Sequence, residues 1–121
     1  MKKMDYVDLF ALPIPKKNLA KYRRIAQKFG KVIKELGALE YREFVGDDLH
    51  PKGMTPWTSR VKLKNGEVLV SSFVIYKSRK HRDQVNQSLM EDPKMKKLMN
   101  DPMPFDMKRM LYGGFKTFIH F

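Results

Sequence analysis

The sequence predicts an α+β domain in which two helices cover one face of a four-stranded antiparallel sheet. Three observations carry that prediction. An apolar stripe of helical period runs over residues 19–36. A run apolar on both faces spans 68–76. The elements follow one another as strand, helix, strand, strand, helix, strand. At 121 residues the chain has the length of one domain. With 42% hydrophobic and 31% charged residues it has the balance of a folded chain.

The first strand is read over residues 6–12, with Val7, Leu9 and Ala11 on one side and Tyr6, Phe10 and Leu12 on the other. Pro13 and Pro15 lack a donor and are expected to stop it. Asn18 stands where a helix N-cap belongs. Leu19, Tyr22, Ile25, Ala26, Phe29, Val32, Ile33 and Leu36 then recur at steps of three and four, and Gly37 supplies the left-handed end. Residues 38–45 read as a second strand whose charges place it near an edge. Residues 46–59 hold two glycines, two prolines and the sole tryptophan, the makings of a long functional loop. Residues 60–64 read as the start of the next strand, turning at Asn65-Gly66. Val68, Val70, Val74 and Tyr76 face one way, and Leu69, Phe73 and Ile75 the other. Ser78 caps a helix running to about Glu91. Asp92-Pro93 opens a short helix carrying Met95, Leu98 and Met99. Pro102 and Pro104 end it. Gly113-Gly114 reads as a sharp bend before a last strand over 115–121.

That order is the ferredoxin-like βαββαβ arrangement. Two helices cover one face of the sheet, yet the central strands are apolar on both. A second copy of the chain is the simplest cover for the other face, so a homodimer, in the manner of a dimeric α/β barrel, is expected.

The strings YVDLFALPIPKKNL, GALEYREFVGDDL, YKSRKHRDQVNQSLMEDP and MPFDMKRMLYGGF resemble a bacterial family of domain-of-unknown-function proteins. The resemblance runs from Tyr6 to Phe115. That family is grouped with the dimeric α/β-barrel superfamily, which includes the antibiotic-biosynthesis-type monooxygenases. It therefore implies the same fold and the same pairing of subunits, and no established activity. The family's central strand usually ends in a tryptophan-containing string. Ser71-Ser72-Phe73-Val74 stands here instead.

The formal charge of +12 favours anionic partners: a phosphorylated or carboxylated small molecule, nucleic acid or acidic lipid. Lys17, Lys21, Arg24, Lys28 and Lys31 form one basic helix stripe. Without interleaved aromatics it reads first as a solvated face, so nucleic acid is not the favoured partner. The absence of cysteine rules out disulfides and thiolate chemistry. No apolar run follows Lys2 and Lys3 as a secretory signal requires, and none is long enough to span a membrane. A cytoplasmic protein is expected.

Asp8, on a central strand, is a candidate general base or one half of a buried ion pair. Arg79 and Arg82, three apart at a helix start, can clamp an anion, with Asn86 following and His81 placed to shuttle a proton. Their structural alternative is pairing with Asp47, Asp48, Asp83 or Asp106. Asp47, Asp48 and His50 allow a hard-metal reading, but no further histidine lies nearby, so no metal is expected. Lys108, Arg109 and Tyr112 can line a pocket mouth, and the nine methionines can form an adaptable surface or simply core. The leading expectation is a small-molecule-binding protein or cofactor-independent, oxygenase-like enzyme acting on an anionic or quinone-like compound. A basic nucleic-acid-associated module and a non-catalytic stress-related interaction protein are the alternatives.

Overall fold

A computed structural model describes residues 4–121, so the amino-terminal Lys2 and Lys3 lie outside the described residues. Strand β1 (Tyr6–Pro15) leads through a short 3-10 turn into helix α1 (Leu19–Glu35). Strands β2 (Glu40–Val45) and β3 (Glu67–Tyr76) follow, then helices α2 (Arg79–Glu91) and α3 (Pro93–Met99) and strand β4 (Leu111–Lys116). The four strands are antiparallel in the order β2-β3-β1-β4. This is the ferredoxin-like sheet that the element order predicts, with β1 central and β2 at an edge, and with the short helix expected at Asp92-Pro93 present as α3.

The sheet sorts its residues by parity. Leu12, Ile14, Val70, Val74 and Tyr76 point at the helices and are essentially sealed from solvent. Each contributes about 1.5–3 kcal/mol by leaving water. Ile33 from α1 and Val85 from α2 close over Val74 and Tyr76. Gly37 follows α1 with φ of +117°, as a left-handed helix end requires. Ser78 Oγ accepts the His81 amide at the start of α2, and Asp92 Oδ1 accepts the amides of Lys94 and Met95 at the start of α3.

Four expectations are corrected. Pro13 and Pro15 do not stop β1. Its partner β4 ends opposite Ala11, so beyond Ala11 β1 has a free edge, where a missing N–H costs nothing. Asn18 does not cap α1 with its side chain; its Nδ2 donates to the Pro104 carbonyl, 2.9 Å away, tying α1 to the segment after α3. Residues 60–64 are not a strand. Gly113-Gly114 is not a bend but the middle of β4, and β4 ends at Lys116 rather than running to Phe121.

The face away from the helices is only partly covered, and by the chain itself. Val61 of the 46–66 loop packs on Ala11 and Leu69, with Leu49 and Leu63 beside it. Arg109 anchors this end. Its guanidinium grips both oxygens of Glu67 at 2.6 and 2.8 Å and the Lys62 carbonyl at 2.8 Å. Leu9, Phe44, Leu111 and Phe115 remain exposed.

Candidate functional site

Asp8 and Arg82 meet between β1 and α2. Pairing of β1 with both β3 and β4 places Asp8 level with Val74 and Gly114, deep under α2. Its residue exposure is 1%. A carboxylate so buried needs a cation. Arg82 Nη1 supplies it, donating to Asp8 Oδ1 at 2.7 Å and to the Tyr112 hydroxyl, also at 2.7 Å. Arg82 Nε donates to Asp83 at 2.8 Å, and its guanidinium lies 5.0 Å from the Tyr6 ring centre. Tyr76 donates to Asn86 Oδ1 across 3.4 Å. Burial pushes the Asp8 carboxyl above its ordinary value, against the opposing pull of Arg82 and of hydrogen bonding from Tyr112 and Asn86. Asp8 of β1, Arg82 and Asn86 of α2 and Tyr112 of β4 are thus brought together, with Arg82 paired to Asp8 and Asp83.

The remaining expected residues are dispersed. His81 Nδ1 accepts the Lys77 amide at 3.0 Å, and its Nε2 lies against Gly37, so the ring braces the β3–α2 turn. Arg79 is exposed and borders a shallow hollow with Tyr6, Lys116 and Thr117. Asp47 and Asp48 are exposed on the loop and form no ion pair with Arg79 or Arg82. His50 Nε2 sits 3.0 Å from Thr58 Oγ1. Among the described residues, no three histidine or acidic side chains converge as a metal site requires. Lys108 is exposed, and Arg109 is committed to Glu67. Lys17 of the turn before α1 and Lys21, Arg24, Lys28 and Lys31 of α1 all stand in solvent.

A second polar group, not anticipated in the sequence, lies between α1 and β2. Glu43 accepts hydrogen bonds from two tyrosines. Tyr22 Oη is 2.9 Å from both carboxylate oxygens, and Tyr41 donates to Oε2. Tyr41 and Glu43 are two apart on β2 and so share its helix-facing side, while α1 lowers Tyr22 onto them. Burial raises the Glu43 carboxyl, partly offset by hydrogen bonds from Tyr41 and Tyr22. Burial and the neighbouring carboxylate raise both tyrosines, which therefore remain hydroxyl donors. The signal available was Tyr-x-Glu on an edge strand, where an inward carboxylate demands partners.

This group forms the polar end of a cleft of about 260 Å³ between sheet and helices. Phe10 and Leu12 of β1, Ser72 of β3 and Ile25 and Phe29 of α1 form its walls. Met95, Met99, Met103, Met107 and Met110 form the side made by α3 and the segment after it. A second cleft of about 350 Å³ shares Tyr22, Ala26, Tyr41 and Glu43 with it. Thioether side chains are flexible and apolar, so this wall adapts to what it encloses.

Comparison with known proteins adds the following. Residues 5–107 match the model of a family described as "Protein of unknown function (DUF1428)". The chain is 40% identical over 116 residues to "Uncharacterized protein YbaA" of Escherichia coli strain K12, an alignment covering 96% of this chain and 98% of that protein. The same figures hold for the Shigella flexneri protein of that name. Among solved structures, a dimeric ferredoxin-like protein from an uncultured marine organism aligns over 96% of this chain and 95% of its own, with a TM-score of 0.51 and 11% identity. That likeness is one of fold. Among the described residues, no helix is long and apolar enough to cross a membrane.

Proposed function

The chain belongs to the DUF1428 family of proteins of unknown function, and we propose that it binds a small, largely apolar, quinone- or phenol-like molecule between its helices and its sheet. The observation that carries this reading is the 260 Å³ cleft, apolar on most sides and polar at the Tyr22–Glu43–Tyr41 end. Of the anionic and quinone-like ligands that the sequence suggests, the second kind fits better. Of the two arginines expected to clamp an anion, Arg82 is occupied by Asp8 and Asp83, and Arg79 lies exposed, away from the cleft; Arg109 is taken by Glu67. A carboxylate at the polar end repels an anion and accepts a hydroxyl proton.

The same reading takes the protein to be a cytoplasmic homodimer. Leu9, Phe44, Leu111 and Phe115 are exposed on the uncovered sheet face, and closed two-fold pairing is the commonest way to hide such a patch. The related structure described as dimeric is in keeping with this.

The test is thermal unfolding with 2-naphthol and with menadione. Binding at a hundredfold excess over the dissociation constant adds about 2.7 kcal/mol to stability and raises the melting temperature. Ala26→Trp fills the cleft from α1 and is expected to abolish that rise. An unchanged rise in this variant refutes the cleft as the site. Sedimentation of the wild type and of Phe115→Glu tests the pairing. The wild type should run as a dimer and the variant as a monomer.

A further inference from the structure

We propose that Glu43, Tyr22 and Tyr41 form a proton-transfer centre for an enolisable ketone, which makes the cleft the site of a carbonyl isomerase or tautomerase. The inference rests on the binding reading above and adds chemistry to it.

The geometry supplies both halves of the reaction. Glu43 is a carboxylate that faces the cleft and forms no ion pair; Arg23 lines only the adjoining second cleft. Its hydrogen-bond partners are two neutral hydroxyls, and Oε1 holds only the bond shared with Tyr22. A carboxylate partnered in this way keeps basicity that an ion pair would remove. Asp8 shows the contrast: it is neutralised by Arg82 and lines neither cleft. The tyrosines are the second half. A base that abstracts a proton next to a carbonyl needs hydrogen-bond donors for the oxyanion it creates. Tyr22 and Tyr41 border the same cleft and are held by burial as donors.

The step balances without any further reagent. The α-carbon–hydrogen bond of the ketone breaks, and its proton moves to a Glu43 oxygen. The bonding pair forms the enolate double bond, while the carbonyl π pair settles on oxygen. Once protonated, Glu43 is a poorer acceptor, and the Tyr22 and Tyr41 hydroxyls turn to the enolate oxygen. Return of the proton from Glu43 to the γ-carbon of a β,γ-unsaturated ketone gives the conjugated isomer and restores the carboxylate. A ketone seated between the apolar walls displaces water from this end of the cleft, which strengthens these hydrogen bonds.

The experiment uses 3-cyclohexenone, small enough for the cleft, and follows its conversion to 2-cyclohexenone by absorbance. A second readout follows deuterium uptake at the α-carbon in heavy water. The wild type should accelerate both over an equal concentration of acetate. Glu43→Gln should lose about a hundredfold or more. Tyr22→Phe and Tyr41→Phe should each lose about tenfold or more. The wild-type rate should rise with pH as the Glu43 carboxyl ionises, and Tyr22→Phe, which removes a hydrogen bond that lowers that carboxyl, should both move the profile to higher pH and lower its plateau, a loss that a tyrosine serving only as a partner of Glu43 would not cause. No acceleration of either readout by the wild type, or an undiminished rate in Glu43→Gln, overturns the proposal. If Glu43→Gln does not fold, undiminished rates in both Tyr→Phe variants overturn it equally. Binding of 2-naphthol without isomerisation sinks the chemistry and leaves the binding reading standing. Loss of naphthol binding as well removes both.

Discussion

Two carboxylates lie on the helix-facing side of the same sheet, and their surroundings differ. Asp8 sits on a central strand beneath α2, with a guanidinium at 2.7 Å. Glu43 sits on the edge strand beneath α1 and touches two phenols instead of a cation. Burial raises both carboxyls. What differs is access. Asp8 spends its charge on Arg82 and on the fold, whereas Glu43 looks into open space. A buried acid is therefore a poor guide to chemistry until its partners and its nearest cavity are known.

The largest test of this contrast is to break the ion pair. Arg82→Leu leaves Asp8 buried without a cation, at about 3–5 kcal/mol of stability in denaturant unfolding, and Asp8→Ala leaves Arg82 answered by exposed Asp83 alone. The double change Asp8→Leu with Arg82→Met should be less damaging than either single one, because no orphaned charge remains. A smaller effect is expected at the other carboxylate. Glu43→Leu strands two hydroxyls beside a cleft that admits water, at about 1–3 kcal/mol.

The pH dependence sharpens the comparison further. Both acids have raised values in the folded chain, so the folded state keeps their protons to higher pH than the unfolded state does. That stabilisation is complete below the usual carboxylate range and fades as pH rises through the raised values. Asp8→Asn and Glu43→Gln should each flatten the decline. Glu67 has the opposite sign. The hydrogen bonds from Arg109 hold it down to about 2, so its contribution is present above its usual value of 4.5 and is lost as pH falls towards 2. Unfolding followed across pH 2–8 separates the two behaviours. The smallest change expected is Lys94→Ala, which removes an exposed pair with Glu35 worth less than about 1 kcal/mol.

Much of the fold was readable because apolar period and punctuation agree. The stripe from Leu19 to Leu36 and the two-faced run around Val70 and Val74 each leave one solution. The errors arose where tertiary context overrode a local rule. Prolines read locally as stops, yet β1 continues through Pro13 and Pro15 along an edge. Two adjacent glycines read locally as a bend, yet β4 runs straight through them. At the site, the need of Asp8 for a partner is readable because a charge on a central strand must be answered, but its pairing with Arg82 is not, because only the packing of α2 on β1 brings them together. Tyr22 and Glu43 are not readable as a pair either, because Tyr22 reads as one more apolar position on α1 and Glu43 as an edge-strand surface charge. Only the packing of α1 on β2 reveals that they touch. His81 is a further case: its position suggests a proton carrier, and the fold adds that its Nδ1 accepts the Lys77 amide.

Gly114 carries a consequence of its own. A methyl group at that position would overlap the Tyr6 ring, which lies beneath the Arg82 guanidinium. The bare backbone of an outer strand thus makes room for the phenol of the neighbouring strand, which packs against a cation carried by α2. Relatives with a bulkier residue at 114 should have something slimmer at 6, so the two sites are expected to change hands together over evolutionary time.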